Sequence, residues 1–379
     1  MALTELARVF LKLGVTAFGG PAAHVAMMEE EVVRRRAWLS REEFMDFVGA
    51  TNLIPGPNST ELAIHIGLVR AGWPGLLVAG ACFILPAAII VGVIAAAYVR
   101  FGALPEATRL LYGVKPVVIA VVLQALWRLG QTAVKSVRLA AIGIASVIAV
   151  AFGVNELIVL AVAGAVAAIA ATPRGGEATK VPVMVGGLIS KFTAQATGVS
   201  VAVGGATVVG LWPLFAVFLK IGSVLFGSGY VLLAFLRTDL VERLHWISER
   251  QLLDAVAVGQ ITPGPVFTTA TFVGYLVAGG PGAAVATLGI FLPAFVFVAL
   301  SGPFIPRIRR SPTASALLDG INVASLALMG VVTWVLLRAA ITDVPTAIVA
   351  GVSALLLLRY KINSAWLVLG GGIVGLVFG

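Results

Sequence analysis

Two lysines stand inside apolar stretches, in Phe10-Leu11-Lys12-Leu13-Gly14 and in Phe218-Leu219-Lys220-Ile221-Gly222. A charged amine within a bilayer is costly, and its presence there marks a functional candidate. Two such amines at corresponding points of a chain could neutralise a small anion between them. Each could equally reach an interface or pair with a carboxylate such as Glu5. Shortly after each lysine the chain breaks at glycine, in Phe18-Gly19-Gly20-Pro21 and Phe226-Gly227-Ser228-Gly229. Backbone without a Cβ can turn successive N–H groups toward one point, which makes an anion nest.

A second pair of breaks follows, Pro55-Gly56-Pro57 and Pro263-Gly264-Pro265. Proline opening a helix leaves the first N–H groups of that helix pointing outward. The helices expected to begin at Asn58 and Val266 therefore direct their positive ends toward the breaks, where an oxyanion could sit. The same residues could do no more than break helices. Polar side chains beside them could orient a ligand or satisfy backbone freed by the break: Asn52, Asn58, Ser59 and Thr60 at the first, and Gln260, Thr262, Thr268 and Thr269 at the second. Glu61 and His65 lie four apart on one helical face. They could bind and release a coupling proton, or form a local salt bridge or hydrogen bond.

Other charged residues read as structural. The run from Glu29-Glu30-Glu31 through Arg34-Arg35-Arg36 to Arg41-Glu42-Glu43 reads as a solvated face with local ion pairs. Asp46 and Asp254 fall near helix starts, where a carboxylate stabilises the N-terminus. His24, His65 and His245 lack metal-ligand spacing, Cys82 is the single cysteine, and no cofactor is expected. The first apolar helix carries Glu5, Arg8 and Lys12, unlike a cleavable signal, and is expected to remain in the mature protein.

The elements that must place these residues come in two copies. At an offset of 208 the two lysine segments coincide, as do Phe18-Gly19 with Phe226-Gly227, Trp38-Leu39-Ser40 with Trp246-Ile247-Ser248, Asp46 with Asp254 and the two Pro-Gly-Pro triplets. After a one-residue shift Pro74-Gly75 matches Pro281-Gly282, and Leu85-Pro86-Ala87 matches Leu292-Pro293-Ala294. We read residues 1–172 as the first repeat, 173–206 as a connector and 207–379 as the second repeat. Apolar length and breakers predict helices at about 3–19, 42–54, 58–70, 75–99, 110–128, 138–153 and 156–172, then at about 207–227, 250–262, 266–278, 282–302, 315–337, 344–358 and 363–378.

Composition sets the class. Of 379 residues 60% are hydrophobic and 11% charged, and residues 71–99 and 255–306 contain no charge at all. A membrane-crossing helix needs about 20 apolar residues, so the chain is read as an all-α polytopic membrane protein whose partner is the lipid bilayer. The net charge of +9 resides in short interhelical segments that set topology, and no nucleic-acid partner is implied. Each Pro-Gly-Pro joins two apolar segments of about 12 residues, which rise about 18 Å in a core of about 30 Å. They form either one broken span or a re-entrant hairpin. The hairpin gives five full spans per copy, beginning with 3–19. That odd number would invert the repeats, as in many transporters.

The strings Phe18-Gly19-Gly20-Pro21, Trp38-Leu39-Ser40 and Asn52-Leu53-Ile54-Pro55-Gly56-Pro57 resemble the signature of the chromate transporter family. The weaker copy, with Gln260-Ile261-Thr262-Pro263-Gly264-Pro265, is similar to the second domain of its long-chain members. The resemblance covers nearly the whole chain. It implies a multi-pass protein of a prokaryotic inner membrane that exports chromate and confers resistance, with chromate/proton antiport as a proposed mechanism. Sulfate, also a tetrahedral dianion, is the nearest other substrate, and its uptake the nearest other activity. A second copy of the chain is an admissible partner. An intramembrane enzyme acting on a lipid phosphate would need arginines grouped with a nucleophile or base at the breaks, and neither Pro-Gly-Pro segment has an arginine.

Overall fold

The computed structural model describes residues 2–18, 20–101, 105–171, 209–226, 231–301, 311–360, 362 and 364–378. Fourteen α-helices and no strand occur among them. In the first repeat these are α1 (Ala2–Thr16), α2 (Gly20–Glu29), α3 (Arg41–Thr51), α4 (Asn58–Phe101), α5 (Pro105–Ala133), α6 (Val137–Ala151) and α7 (Glu156–Ala171). The second repeat gives α8 (Leu211–Val224), α9 (Leu232–Leu236), α10 (Glu249–Ile261), α11 (Thr269–Ser301), α12 (Pro312–Ala340), α13 (Val344–Arg359) and α14 (Ser364–Phe378). π-Helical turns at Glu30–Arg35 and Arg237–Arg243 extend α2 and α9. The connector at 173–206 lies outside the described residues.

α4 is two antiparallel limbs. At Ala71 and Gly72 the backbone leaves the helical region, Gly72 at φ +63. Beyond that turn Gly67 packs backbone to backbone on Gly75, and Gly80 lies against Ile64. α11 repeats the device: its turn falls at Ala278 and Gly279, and the Thr271 and Thr287 hydroxyls, 16 positions apart, are 2.7 Å from each other. The predicted separation of 58–70 from 75–99 thus holds, with the chain folded back between them.

The Pro-Gly-Pro segments are the tips of re-entrant hairpins. The rings of Phe47 on α3 and His65 on α4 stack with centroids 5.6 Å apart. In one broken helix, residues 18 apart would be separated by about 27 Å along the axis. In the second repeat, Gly259 of α10 meets Thr269 across Pro263-Gly264-Pro265 in the same way. Each hairpin starts with a matching capping box, Ser40 with Glu43 and Ser248 with Gln251.

The first helix is also half of a hairpin, which corrects the expected full span at 3–19. The 15 residues of α1 rise about 22 Å, and α2 returns alongside: Lys12 pairs with Glu31 at 2.7 Å and Arg36 with Glu5 at 3.6 Å. α8 and α9 match this, with Lys220 paired to Asp239 at 2.9 Å. The run at 29–43 forms the expected ion pairs, yet it is partly helical and Glu31 is 5% exposed rather than solvated.

Contacts at the two ends of the long limb of α4 fix the repeats as inverted. Its first end lies at the face where Arg70 meets Glu5 at 3.8 Å and stacks on Trp38. The 29 residues at 73–101 then rise about 43 Å. At the far end Tyr98 donates to Asp254 at 2.7 Å and packs on Phe272, both in the hairpin of the second repeat. The two sets of hairpins therefore enter from opposite faces. They meet at a local two-fold: the Gly56 N–H donates to the Leu225 carbonyl at 2.8 Å, and the Gly264 N–H to the Ala17 carbonyl at 2.9 Å. With both hairpins of a repeat re-entrant, the crossing count that led to inversion is replaced by this direct geometry.

Four described segments are long and apolar enough to cross a membrane: Asn58–Phe101, Thr108–Ala133, Val266–Ser301 and Pro312–Ala340. The long limb of α4 exposes Trp73, Leu77, Leu85, Ile89 and Val93, spaced by four or eight, as a lipid-facing stripe. Polar contacts link the turn after each long helix to the start of its counterpart. Lys135 pairs with Asp319 at 2.7 Å, and Tyr112 donates to Asp343 at 2.6 Å.

Candidate functional site

A cavity of about 770 Å³ has its floor at the hairpin tips. Phe18, Pro21, Asn52, Pro57, Asn58 and Ser59 contribute from the first repeat, and Pro265, Val266 and Phe267 from the second. One wall is the face of α5 bearing Gln124, Arg128 and Thr132, continued by Lys135 just past its end, and the other is the face of α12 bearing Asp319, Asn322 and Ser325. From the floor the α5 wall ends at Lys135, beside the start of α12. The opening thus lies on the face that carries Arg34, Arg35, Arg36, Arg41 and Arg70.

The opposite side is packed. The C-terminal half of α12 buries Leu328, Met329, Val332 and Leu336 in the main core. Asp254, 1% exposed on its side chain, ties three elements together through Tyr98 at 2.7 Å and Lys115 at 2.9 Å. A carboxylate expected only to stabilise a helix start instead joins α10 to α4 and α5 across the repeat boundary.

Several expected site residues do line the cavity. Asn52 and Asn58 are there, with Asn58 donating to Asn52 at 2.6 Å. Pro57 and Pro265 open the helical segments that start at Asn58 and Val266, so two positive helix ends face the floor. Gly20, at φ +79, starts α2 behind Phe18. Gly19, Gly227, Ser228 and Gly229 lie outside the described residues.

Others are placed elsewhere. Lys12 and Lys220 do not line the cavity, and each is neutralised by a carboxylate 19 positions on, Glu31 and Asp239. They close the outer hairpins, so the expected paired-lysine site is absent from this geometry. Gly56 and Gly264 spend their N–H groups on Leu225 and Ala17, and with Pro55 and Pro263 they serve the joint between repeats. Thr262, Thr268 and Thr269 bond to backbone carbonyls one turn back, and buried Gln260 lies off the cavity.

Behind the first tip, Glu61 is fully buried and both its carboxyl oxygens lack a hydrogen-bond partner among the described residues. It lies against Gly56, where a Cβ would collide with its Oε1. His65, one turn further on, has an unpartnered Nε2 and stacks on Phe47. The local salt bridge or hydrogen bond open at the sequence level is not formed. A full charge on Glu61 would be uncompensated here.

Seven polar wall residues escaped the sequence reading: Gln124, Arg128, Thr132, Lys135, Asp319, Asn322 and Ser325. Gln124, Arg128 and Thr132 fall on one face of α5 at spacings of four, and Lys135 follows just past its end. This polar stripe in an apolar helix was the available signal.

The sequence model described as "Chromate transporter" matches residues 4–169 and again 212–376. The "Chromate transport protein" of Cupriavidus metallidurans is 33% identical, the alignment covering 99% of this chain and 93% of that protein. That of Pseudomonas aeruginosa is 32% identical over 100% of this chain and 93% of its own length. The "Probable chromate transport protein" of Synechococcus elongatus is 31% identical, covering 100% and 96%. No solved structure matches the chain.

Proposed function

The chain belongs to the chromate transporter family, and on that premise we propose that it is a secondary transporter that exports chromate from the cytoplasm by alternating access. The observation that carries this reading is the cavity: its floor is the meeting point of two inverted repeats, and it is open to one face and packed shut toward the other. Inverted repeats around a central site are the arrangement in which rocking one bundle against the other exchanges access. The hydrogen bonds from Gly56 to Leu225 and from Gly264 to Ala17 couple the two tips, so they move together.

The membrane is the inner membrane of a prokaryote, with the cavity open to the cytoplasm. The arginine-rich face supports this orientation, because Lys and Arg concentrate on the cytoplasmic side. Moving a dianion out of a cell negative inside is favourable by about 2.3 kcal/mol per charge per 100 mV, so the potential alone can drive export. Asn52, Asn58 and the helix ends at Asn58 and Val266 hold the oxyanion. Glu61, with His65 behind it, takes up and releases the proton of an antiport.

The test is uptake of labelled chromate by everted membrane vesicles under an interior-positive potential, with sulfate as competitor. Saturable chromate accumulation that exceeds vesicles lacking the protein supports export. No accumulation under any imposed gradient overturns it.

A further inference from the structure

Resting on the oxyanion reading, we propose that Arg128 is the charge-recognising residue of the cavity, and that it makes the anion site one-sided. Arg128 is exposed on the cavity wall, and among the described residues no carboxylate lies within ion-pair distance of it. The other cation of the lining, Lys135, is already bound to Asp319 at 2.7 Å. Arg128 therefore supplies the uncompensated charge of the lining. Its guanidinium fork matches two oxygens of a tetrahedral dianion. On the facing wall Ser325 lines the same space, and its hydroxyl, 1% exposed and without a partner among the described residues, is a second donor.

The second repeat has no equivalent. α5 and α12 align without a gap at an offset of 207, which superposes Pro105 on Pro312, Gly113 on Gly320 and Trp127 on Trp334. Val335 then stands where α5 has Arg128, Val331 where it has Gln124, and Thr342 where it has Lys135. When the opposite face opens, the inverted symmetry assigns one wall to the C-terminal half of α12, which is aliphatic at these positions. The other falls to the N-terminal half of α5, where Lys115 stands at the position of Asn322 but is already bound to Asp254 at 2.9 Å. Capture is therefore strong on the side open in this structure, and on the other side release is unopposed.

The test compares initial rates of chromate transport in everted and right-side-out vesicles for the wild type, Arg128→Gln, Arg128→Lys and Val335→Arg. Arg128→Gln is expected to raise the KM about tenfold or more from the face where the cavity opens and less than twofold from the other. Arg128→Lys keeps the charge without the fork and recovers only part of the loss, and Val335→Arg lowers the KM from the opposite face. A KM shift equal on both sides, or none, overturns this inference while leaving transport intact. Wild-type vesicles that carry neither chromate nor sulfate overturn the transport reading as well.

Discussion

Lys12 and Lys220 illustrate how an intramembrane charge can be structural. Lys220 sits 18% exposed against an Asp239 that is 1% exposed, with Glu156 at 3.9 Å and Arg243 bonding the same carboxylate at 3.1 Å. Stranding one partner of a buried pair costs about 3–5 kcal/mol, and less here because Arg243 still holds Asp239, whereas replacing both is often neutral. Lys220→Met should therefore lower thermal stability in detergent and reduce transport in proportion. Lys220→Met/Asp239→Leu should recover much of both, and a fully folded Lys220→Met protein that no longer transports would return the lysine to the substrate path. Glu61 is the opposite case, a buried carboxyl with no partner among the described residues. Glu61→Gln should retain the fold and potential-driven transport but lose the response to an imposed pH gradient, read as chromate flux against ΔpH at fixed potential. An unchanged response would remove Glu61 from proton coupling. Both groups were legible as candidates because ionisable residues stand out in apolar sequence. Their roles were not legible, because the deciding partners, Asp239 and the absence of any near Glu61, are tertiary facts.

The hairpins depend on glycine at points where two backbones touch. Gly67 lies on Gly75 and Gly274 on Gly282, so a side chain at either would push the limbs apart. Gly72 turns the chain at φ +63 with open space around the position of a Cβ. Gly67→Val should cost several kcal/mol and abolish transport, while Gly72→Ala, limited to backbone strain, should cost about 1 kcal/mol. Melting temperatures of the two purified variants check this, and equal losses would contradict the hairpin packing. Breakers and apolar length placed most helices within a few residues of their observed ends. The return limb at α2 was missed because its charges resemble a solvated loop. The contact that makes it helical and buried, Lys12 with Glu31, joins residues 19 apart. The choice between broken span and hairpin at Pro-Gly-Pro was equally invisible, since both have the same local sequence and differ only in whether Phe47 meets His65.

At the scale of the whole molecule, the duplication was legible from motifs in register, and the inversion rested on a span count that the structure replaces with contacts. The cavity was not legible, because its floor comes from residues near 18, 52–59 and 265–267 and its walls from α5 and α12, far apart in sequence. Access from one face at a time is the central claim, and thiol labelling at the floor tests it most directly. Cys82 is the single cysteine, so Cys82→Ala gives a clean background for Phe18→Cys, a position 38% exposed on the cavity floor. A membrane-impermeant maleimide should modify this cysteine rapidly in everted vesicles and slowly in right-side-out vesicles. Chromate should slow the reaction, and the modified protein should no longer transport. Equal labelling from both sides, or labelling that chromate does not slow, would contradict a substrate path through this cavity.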